Sequence, residues 1–215
     1  MSARIVADDD AGRAAAIEAL GGGRIVAVPT DTVYGIAVAL DTPGGIEALF
    51  AAKRRPPDKG IMLLLADARQ APKIGRWPPA AAALAGAFWP GGLTLVVPQR
   101  PDVVLPAVLT GGAATIGLRV PDHPAPRALA AALGPLPTTS ANISGEPEAR
   151  DAIEILAQLG DVVALVLDGG TAQGGPPSTI VDCSVDRPVL LRYGPISGEQ
   201  VAAILDASGI AHAIA

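Results

Sequence analysis

The chain has 215 residues, half of them apolar but few aromatic, and a formal net charge of −5. That length supplies the core of one domain, 1–215, built mainly of Ala, Val, Leu and Ile, and the acidic balance argues against a broad basic face for RNA. A single cysteine, Cys183, excludes an intramolecular disulfide and fits a reducing compartment, and two histidines, His123 and His212, do not make a zinc cluster. Met1-Ser2-Ala3-Arg4 runs into polar Asp8-Asp9-Asp10 without an apolar leader. No stretch reaches the roughly 18 to 20 apolar residues of a membrane span, so a soluble cytoplasmic protein is expected.

Asp10 caps a predicted helix through Ala14, Ala16, Ile17 and Leu20, closed by Gly21-Gly22-Gly23. Arg24 to Val28 reads as a buried strand stopped by Pro29, and Ile36 to Ala39 as a second after a turn at 30–35. Thr42 caps a helix through Ile46, Leu49 and Phe50 that delivers Lys53 and Arg55 at its C-terminal end. Ile61 to Leu65 is an apolar run of strand length, followed by helical segments at 66–74 and 79–87. Further strands are predicted at 94–97, 115–120, 136–139, 163–167, 179–182 and 189–192, with helices at 125–133 and 152–159. Ser197 caps a last helix to about Ala207. Strands that follow one another late in the chain indicate an α/β fold with a mixed sheet, not a regular parallel one.

Two short polar motifs stand out in this apolar sequence: Lys53-Arg54-Arg55-Pro56 and Ser140-Ala141-Asn142. A guanidinium fork, a lysine point charge and two short hydrogen-bonding side chains suit a polyphosphate. The plainer alternative is a solvated helix end and an ordinary Ser/Asn turn. Gly169-Gly170-Thr171-Ala172-Gln173-Gly174-Gly175 is glycine-rich but lacks the Gly-Lys-Ser/Thr ending of a P-loop, and reads as a flexible surface loop. Arg119 lies inside the apolar run Ile116–Val120, where it must pair with an acidic residue of the chain or clamp a ligand carboxylate. The clamp is the preferred reading. Trp89 in Trp89-Pro90-Gly91-Gly92 reads as an apolar anchor rather than a base-stacking platform, and Cys183 as a buried small residue rather than a nucleophile.

Pro29-Thr30-Asp31-Thr32-Val33-Tyr34-Gly35, Phe88-Trp89-Pro90-Gly91-Gly92-Leu93-Thr94, Ile116-Gly117-Leu118-Arg119-Val120 and Ser178-Thr179-Ile180-Val181-Asp182 surround the two polar motifs in the same order as in a known family. From about Ile25 to about Leu205 the chain resembles the YrdC family of L-threonylcarbamoyladenylate synthases. The resemblance implies a twisted open mixed sheet flanked by helices, with a deep concave groove, in its single-domain form. It implies an enzyme that converts ATP, L-threonine and bicarbonate (or CO2) into L-threonylcarbamoyladenylate and pyrophosphate. That product serves the N6-threonylcarbamoyl modification of adenosine 37 in tRNA, through a downstream tRNA threonylcarbamoyl transferase complex.

Carried over by position, the resemblance assigns Arg55, Lys59, Thr115, Ser140, Asn142 and Arg192 to ATP, and Thr32, Arg119, Thr138 and Ser178 to threonine. Lys53 and Arg55 would offset the repulsion between carbamate and triphosphate. Mg2+ would enter with the nucleotide rather than sit in a protein cage. Leu64, Glu148, Pro177 and Tyr193 depart from residues common in the family. A second reading of another class is an RNA-binding or ribosome-associated module on the same fold, with weak RNA binding in the groove.

Overall fold

In the computed structural model, residues 3–172 and 175–214 are described; Met1, Ser2 and Ala215, and Gln173 and Gly174 of the glycine-rich run, lie outside them. Elements follow in the order β1 (Arg4–Ala7), α1 (Asp10–Gly21), β2 (Val26–Val28), β3 (Gly35–Ala37), α2 (Gly45–Lys53), β4 (Met62–Leu64), α3 (Pro79–Phe88) and β5 (Leu93–Pro98). Next come α4 (Ala107–Thr110), β6 (Thr115–Arg119), α5 (Pro124–Leu133), β7 (Leu136–Ser140), α6 (Ala152–Leu159), β8 (Leu165–Asp168), β9 (Thr179–Asp182), β10 (Val189–Arg192) and α7 (Gly198–Ala207).

Among the described residues ten strands pair in the order β1-β8-β2-β3-β7-β4-β6-β5-β9-β10, and the two end strands do not meet, so the sheet is open. It is mixed, as expected: β1 and β2 flank β8 in parallel, β4 pairs β6 and β5 pairs β9 in parallel, and the remaining pairs are antiparallel. Successive strand residues face opposite ways, and that alternation divides the core. Val26 and Val28 of β2 pack with Leu20 of α1 and Leu129 of α5 on one face. Ala27 joins Leu49 of α2, Leu84 of α3, Ile155 of α6 and Val201 of α7 on the other. No helix among the described residues is long and apolar enough to cross a membrane.

Several local expectations are corrected. Asp9, not Asp10, caps α1, accepting from the Gly12 N–H at 2.8 Å, because the extended residue of the acidic run precedes the helix. Thr42 does not cap α2; Gly44, in the left-handed region at φ 71°, starts it, and the Thr42 carbonyl accepts from Gly45. The helical segment expected at 66–74 is a 3₁₀ helix, Ala68–Lys73, with Pro72 inside it. An α-helix would lose a ladder bond at that proline. Strand β1 and the single turn α4 were not expected. β1 lies at a sheet edge with three of its four residues exposed, so no apolar run marks it. The cap at Ser197 holds, completed into a capping box by Gln200.

Candidate active site

A groove of about 680 Å3, solvent at its mouth included, lies across the sheet from β3 to β10. Its size suits a small-molecule site. The β2–β3 turn contributes Thr30, Thr32, Val33 and Tyr34; the segment after α2 contributes Arg55, Gly60 and Ile61. Each crossing strand then adds one or more groups: Met62 and Leu64 from β4, Thr94 from β5, Arg119 from β6, Thr138 and Ser140 from β7, and Arg192 from β10. Pro177 and Ser178, just before β9, close the wall. A neighbouring cavity shares Gly60, Ile61, Met62, Thr94 and Ile180 with the groove and extends it to Thr110, Thr115 and Gly117.

Arg119 is 2% exposed. Its Nε donates to the Gly91 carbonyl at 3.0 Å, Nη1 to Thr32 Oγ1 at 3.0 Å and Nη2 to Asp31 Oδ1 at 2.7 Å. A guanidinium has five N–H donors, so one remains on each terminal nitrogen. Burial pushes its pKa down and Asp31 pushes it back up. The two readings of Arg119 therefore coexist, because it is ion-paired to Asp31 and still lines the groove.

Arg192 Nε donates to the Ser178 carbonyl at 2.9 Å and Nη2 to Ser178 Oγ at 3.1 Å. Ser178 Oγ in turn lies 2.7 Å from Thr94 Oγ1, so three side chains, from β5, from the residue just before β9 and from β10, form one polar wall. Arg55 reaches the groove because Arg54 takes the left-handed conformation at φ 51° and ends α2 abruptly. Its Nε and Nη2 donate to the Lys59 and Gly60 carbonyls at 2.8 and 2.7 Å. Burial lowers the pKa of Arg55 and Arg192, and Arg192 is lowered further by Arg119 and Arg55, with Glu148 opposing them. Among the described residues only Arg119 of these three has a carboxylate partner, Asp31. Such a cluster calls for an anion.

Lys53 is 1% exposed and does not line the groove. Its ammonium donates to the carbonyls of Ser140 and Asn142, at 2.5 Å each, and to Asn142 Oδ1 at 3.0 Å. Burial first, then Arg55, brings its pKa down to about 8, while Glu148 opposes them. Ser140 lines the groove and gives its proton to Asn142 Oδ1 at 2.6 Å; Asn142 Nδ2 donates to the Glu146 carbonyl at 2.6 Å.

The structure thus brings Thr32, Arg55, Arg119, Thr138, Ser140, Ser178 and Arg192 to one groove and Thr115 to its extension. Lys53 and Asn142 stand behind the Ser140 wall, and Lys59 reaches the site through its carbonyl. Thr94, Met62, Tyr34 and Asp31 also build the site but were not singled out as site residues. Thr94 is a buried hydroxyl directly after Gly91-Gly92-Leu93, which is the one signal that could have marked it. Tyr34 is held by Gly169 N–H and the Gly170 carbonyl, and burial pushes its phenol up to about 12. Trp89 is an anchor as read: its indole donates to the Leu93 carbonyl at 2.7 Å and packs beside Trp77. Cys183 is buried with its thiol pushed up to about 12, the state of an inert core residue.

Comparison with known proteins agrees with this geometry. The Sua5/YciO/YrdC family model, described as telomere recombination, matches residues 18–194. A Mycobacterium tuberculosis protein named putative threonylcarbamoyl-AMP synthase is 40% identical over 204 residues, covering 90% of this chain and 89% of that protein. The threonylcarbamoyl-AMP synthase of Bacillus subtilis is 39% identical over 183 residues, 84% of this chain but 53% of its own, so the chain spans about half of that relative. The crystal structure of Pyrococcus abyssi Sua5 complexed with L-threonine superposes with a TM-score of 0.87 at 31% identity, covering 97% of this chain and 61% of that one. By its family match and its identity across most of the mycobacterial protein, this chain belongs to the Sua5/YciO/YrdC family.

Proposed function

We propose that this protein is an L-threonylcarbamoyladenylate synthase: L-threonine, CO2 (or bicarbonate, with loss of water) and ATP give L-threonylcarbamoyladenylate and pyrophosphate. The observation that carries the reading is the convergence of Arg55, Arg119 and Arg192 on one groove with Asp31 as their single carboxylate partner among the described residues. Two anions, an amino-acid carboxylate and a triphosphate, are what such a groove neutralises. The relatives named threonylcarbamoyl-AMP synthase and the Sua5 complex with L-threonine support the same assignment.

Threonine would lie at the Thr32/Arg119 end, its carboxylate on the two free N–H groups of Arg119 and its side chain against Met62 and Leu64. Its neutral amine adds to confined CO2 to form a carbamate, losing a proton. The carbamate oxygen then attacks the α-phosphorus of ATP in line, and pyrophosphate leaves with the bonding pair. No protein nucleophile is required; the protein positions two anions and stabilises charge on phosphate. Arg55 and Arg192 face the triphosphate, and Thr115 lies along the extension that takes the nucleoside.

Among the described residues no three His, Cys, Asp or Glu side chains gather as a metal site. Mg2+ belongs to the proposal as an ion carried in on triphosphate oxygens and water, which is its usual mode with nucleotides. A cytoplasmic setting and delivery of the product to a tRNA threonylcarbamoyl transferase complex complete the reading. The test is incubation with ATP, threonine and bicarbonate and mass detection of the adenylate, omitting each reactant in turn. An adenylate that forms only with all three establishes the activity; its absence from the complete mixture overturns it.

A further inference from the structure

Resting on that functional reading, we infer that Lys53 is a positioning residue that acts on the nucleotide through the Ser140–Asn142 turn and does not touch it. An ammonium has three donors and no acceptor. All three of its donors are matched by oxygens of this turn: two backbone carbonyls and Asn142 Oδ1. The backbone of Lys53 grips the same segment, since its carbonyl accepts from the Ser144 N–H at 3.0 Å. Lys53 is the last residue of α2, two positions before Arg55, and Ser140 is the last residue of β7. The two groups that face the groove, Arg55 and Ser140, are therefore held at a fixed separation by a residue that faces neither solvent nor groove.

The network also explains how Ser140 can serve a ligand. In the free protein its single proton is on Asn142 Oδ1. A phosphate oxygen can accept that proton only if Ser140 turns away from Asn142. Asn142 Oδ1 would then be left buried without a donor, were it not for Lys53. Lys53 keeps Asn142 satisfied in both states, so the hydroxyl is free to switch partner at little cost.

With three lysines in the chain, Lys53, Lys59 and Lys73, the idea is testable in the wild-type protein. Nitrogen-15 labelled lysine should show one side-chain ammonium with protons protected from exchange before any nucleotide is added. Those protons should stay protected when a non-hydrolysable ATP analogue with Mg2+ saturates the site. Protection that appears only with the analogue would make Lys53 a direct ligand and overturn the inference. Lys53→Met should accelerate amide exchange at residues 140–146 in the ligand-free protein. It should weaken the ATP analogue about 10- to 100-fold, the worth of one or two hydrogen bonds to a charged group. Threonine affinity should stay within about twofold, because the amino-acid end is held by Arg119 and Thr32. Unchanged exchange at 140–146, or equal losses for both ligands, sinks the positioning role. If the wild type binds no ATP analogue, the functional reading fails, while the exchange measurements on the free protein still report on Lys53.

Discussion

Arg119 enters the groove with its plane already set by Gly91, Thr32 and Asp31, so a ligand carboxylate meets a guanidinium that has no freedom left to lose. Arg119→Ala should weaken threonine by about 2 to 5 kcal/mol, the cost of truncating a buried charged partner, and ATP far less. Separate titrations check this, and equal losses would make Arg119 a structural residue only. Arg55→Lys should also lose adenylate formation, because an ammonium cannot hold the Lys59 and Gly60 carbonyls while still forking onto phosphate. For Lys53 the expectation concerns protons. With its pKa lowered to about 8 by burial and by Arg55, the free protein carries a partly neutral amine at pH 8 to 9. A polyanion nearby favours the ammonium, so nucleotide binding in that range takes up a proton, and affinity falls as pH rises through about 8. The charge of Glu148 already favours the ammonium form, which limits the uptake. Calorimetry in two buffers of different ionisation heat measures it, and Lys53→Met should abolish it.

Short elements aim these groups. On β4, Met62 and Leu64 face the groove while Leu63 between them joins the core. That alternation puts an apolar surface beside the threonine end, and the methyl group should be worth roughly 1 to 3 kcal/mol against serine. Competing the two amino acids measures the ratio, and Leu64→Ala should shrink it; equal efficiencies would mean that no methyl pocket exists. The open end of the β9–β10 hairpin holds Ser178, just before β9, and Arg192, the last residue of β10, and Gly194 beyond it packs against the Pro177–Thr179 backbone. A Cβ at Gly194 would overlap the backbone of Pro177, Ser178 and Thr179, none of which is a flexible side-chain end. Gly194→Ala should therefore cost about 1 to 3 kcal/mol of stability and displace Ser178, with a rise in threonine KM. A thermal melt and steady-state kinetics on the same variant check both effects. Most strands and the longer helices were legible in the sequence, since Ile61 to Leu65 and Ile116 to Val120 are apolar runs of strand length. Exposed β1 and the single turn α4 carry too little pattern to be read, and the 3₁₀ helix at Ala68–Lys73 depended on how Pro72 would be absorbed.

At the scale of the molecule, charge separates the two functional readings. With a net charge of −5, the cations that face the groove are a local exception, not part of a basic surface. Phosphate-backbone affinity grows with the number of Lys and Arg contacts, so duplex RNA should bind weakly and release at physiological salt while ATP stays bound. A filter-binding series in rising salt, with both ligands, decides this; RNA retained as well as ATP would favour the RNA-binding module. The sequence by itself determined the mixed α/β class, the order of the motifs and the distinctive charged and polar groups such as Arg55, Arg119 and Ser140, because apolar period and side-chain type are local properties that survive without coordinates; Ser178 and Arg192 were marked only by the family resemblance. Only the tertiary structure decided what each charged group faces. Lys53 and Arg55 stand two residues apart with similar charge, yet one is spent entirely on the Ser140–Asn142 turn and the other opens into the groove. Arg119 and Asp31 lie 88 positions apart, and with β7 and β4 standing between β3 and β6 in the sheet they meet only because the β2–β3 turn reaches across to the Arg119 side chain. Hydrogen-bond partners across such distances are set by sheet order and burial, neither of which is written in the neighbouring residues.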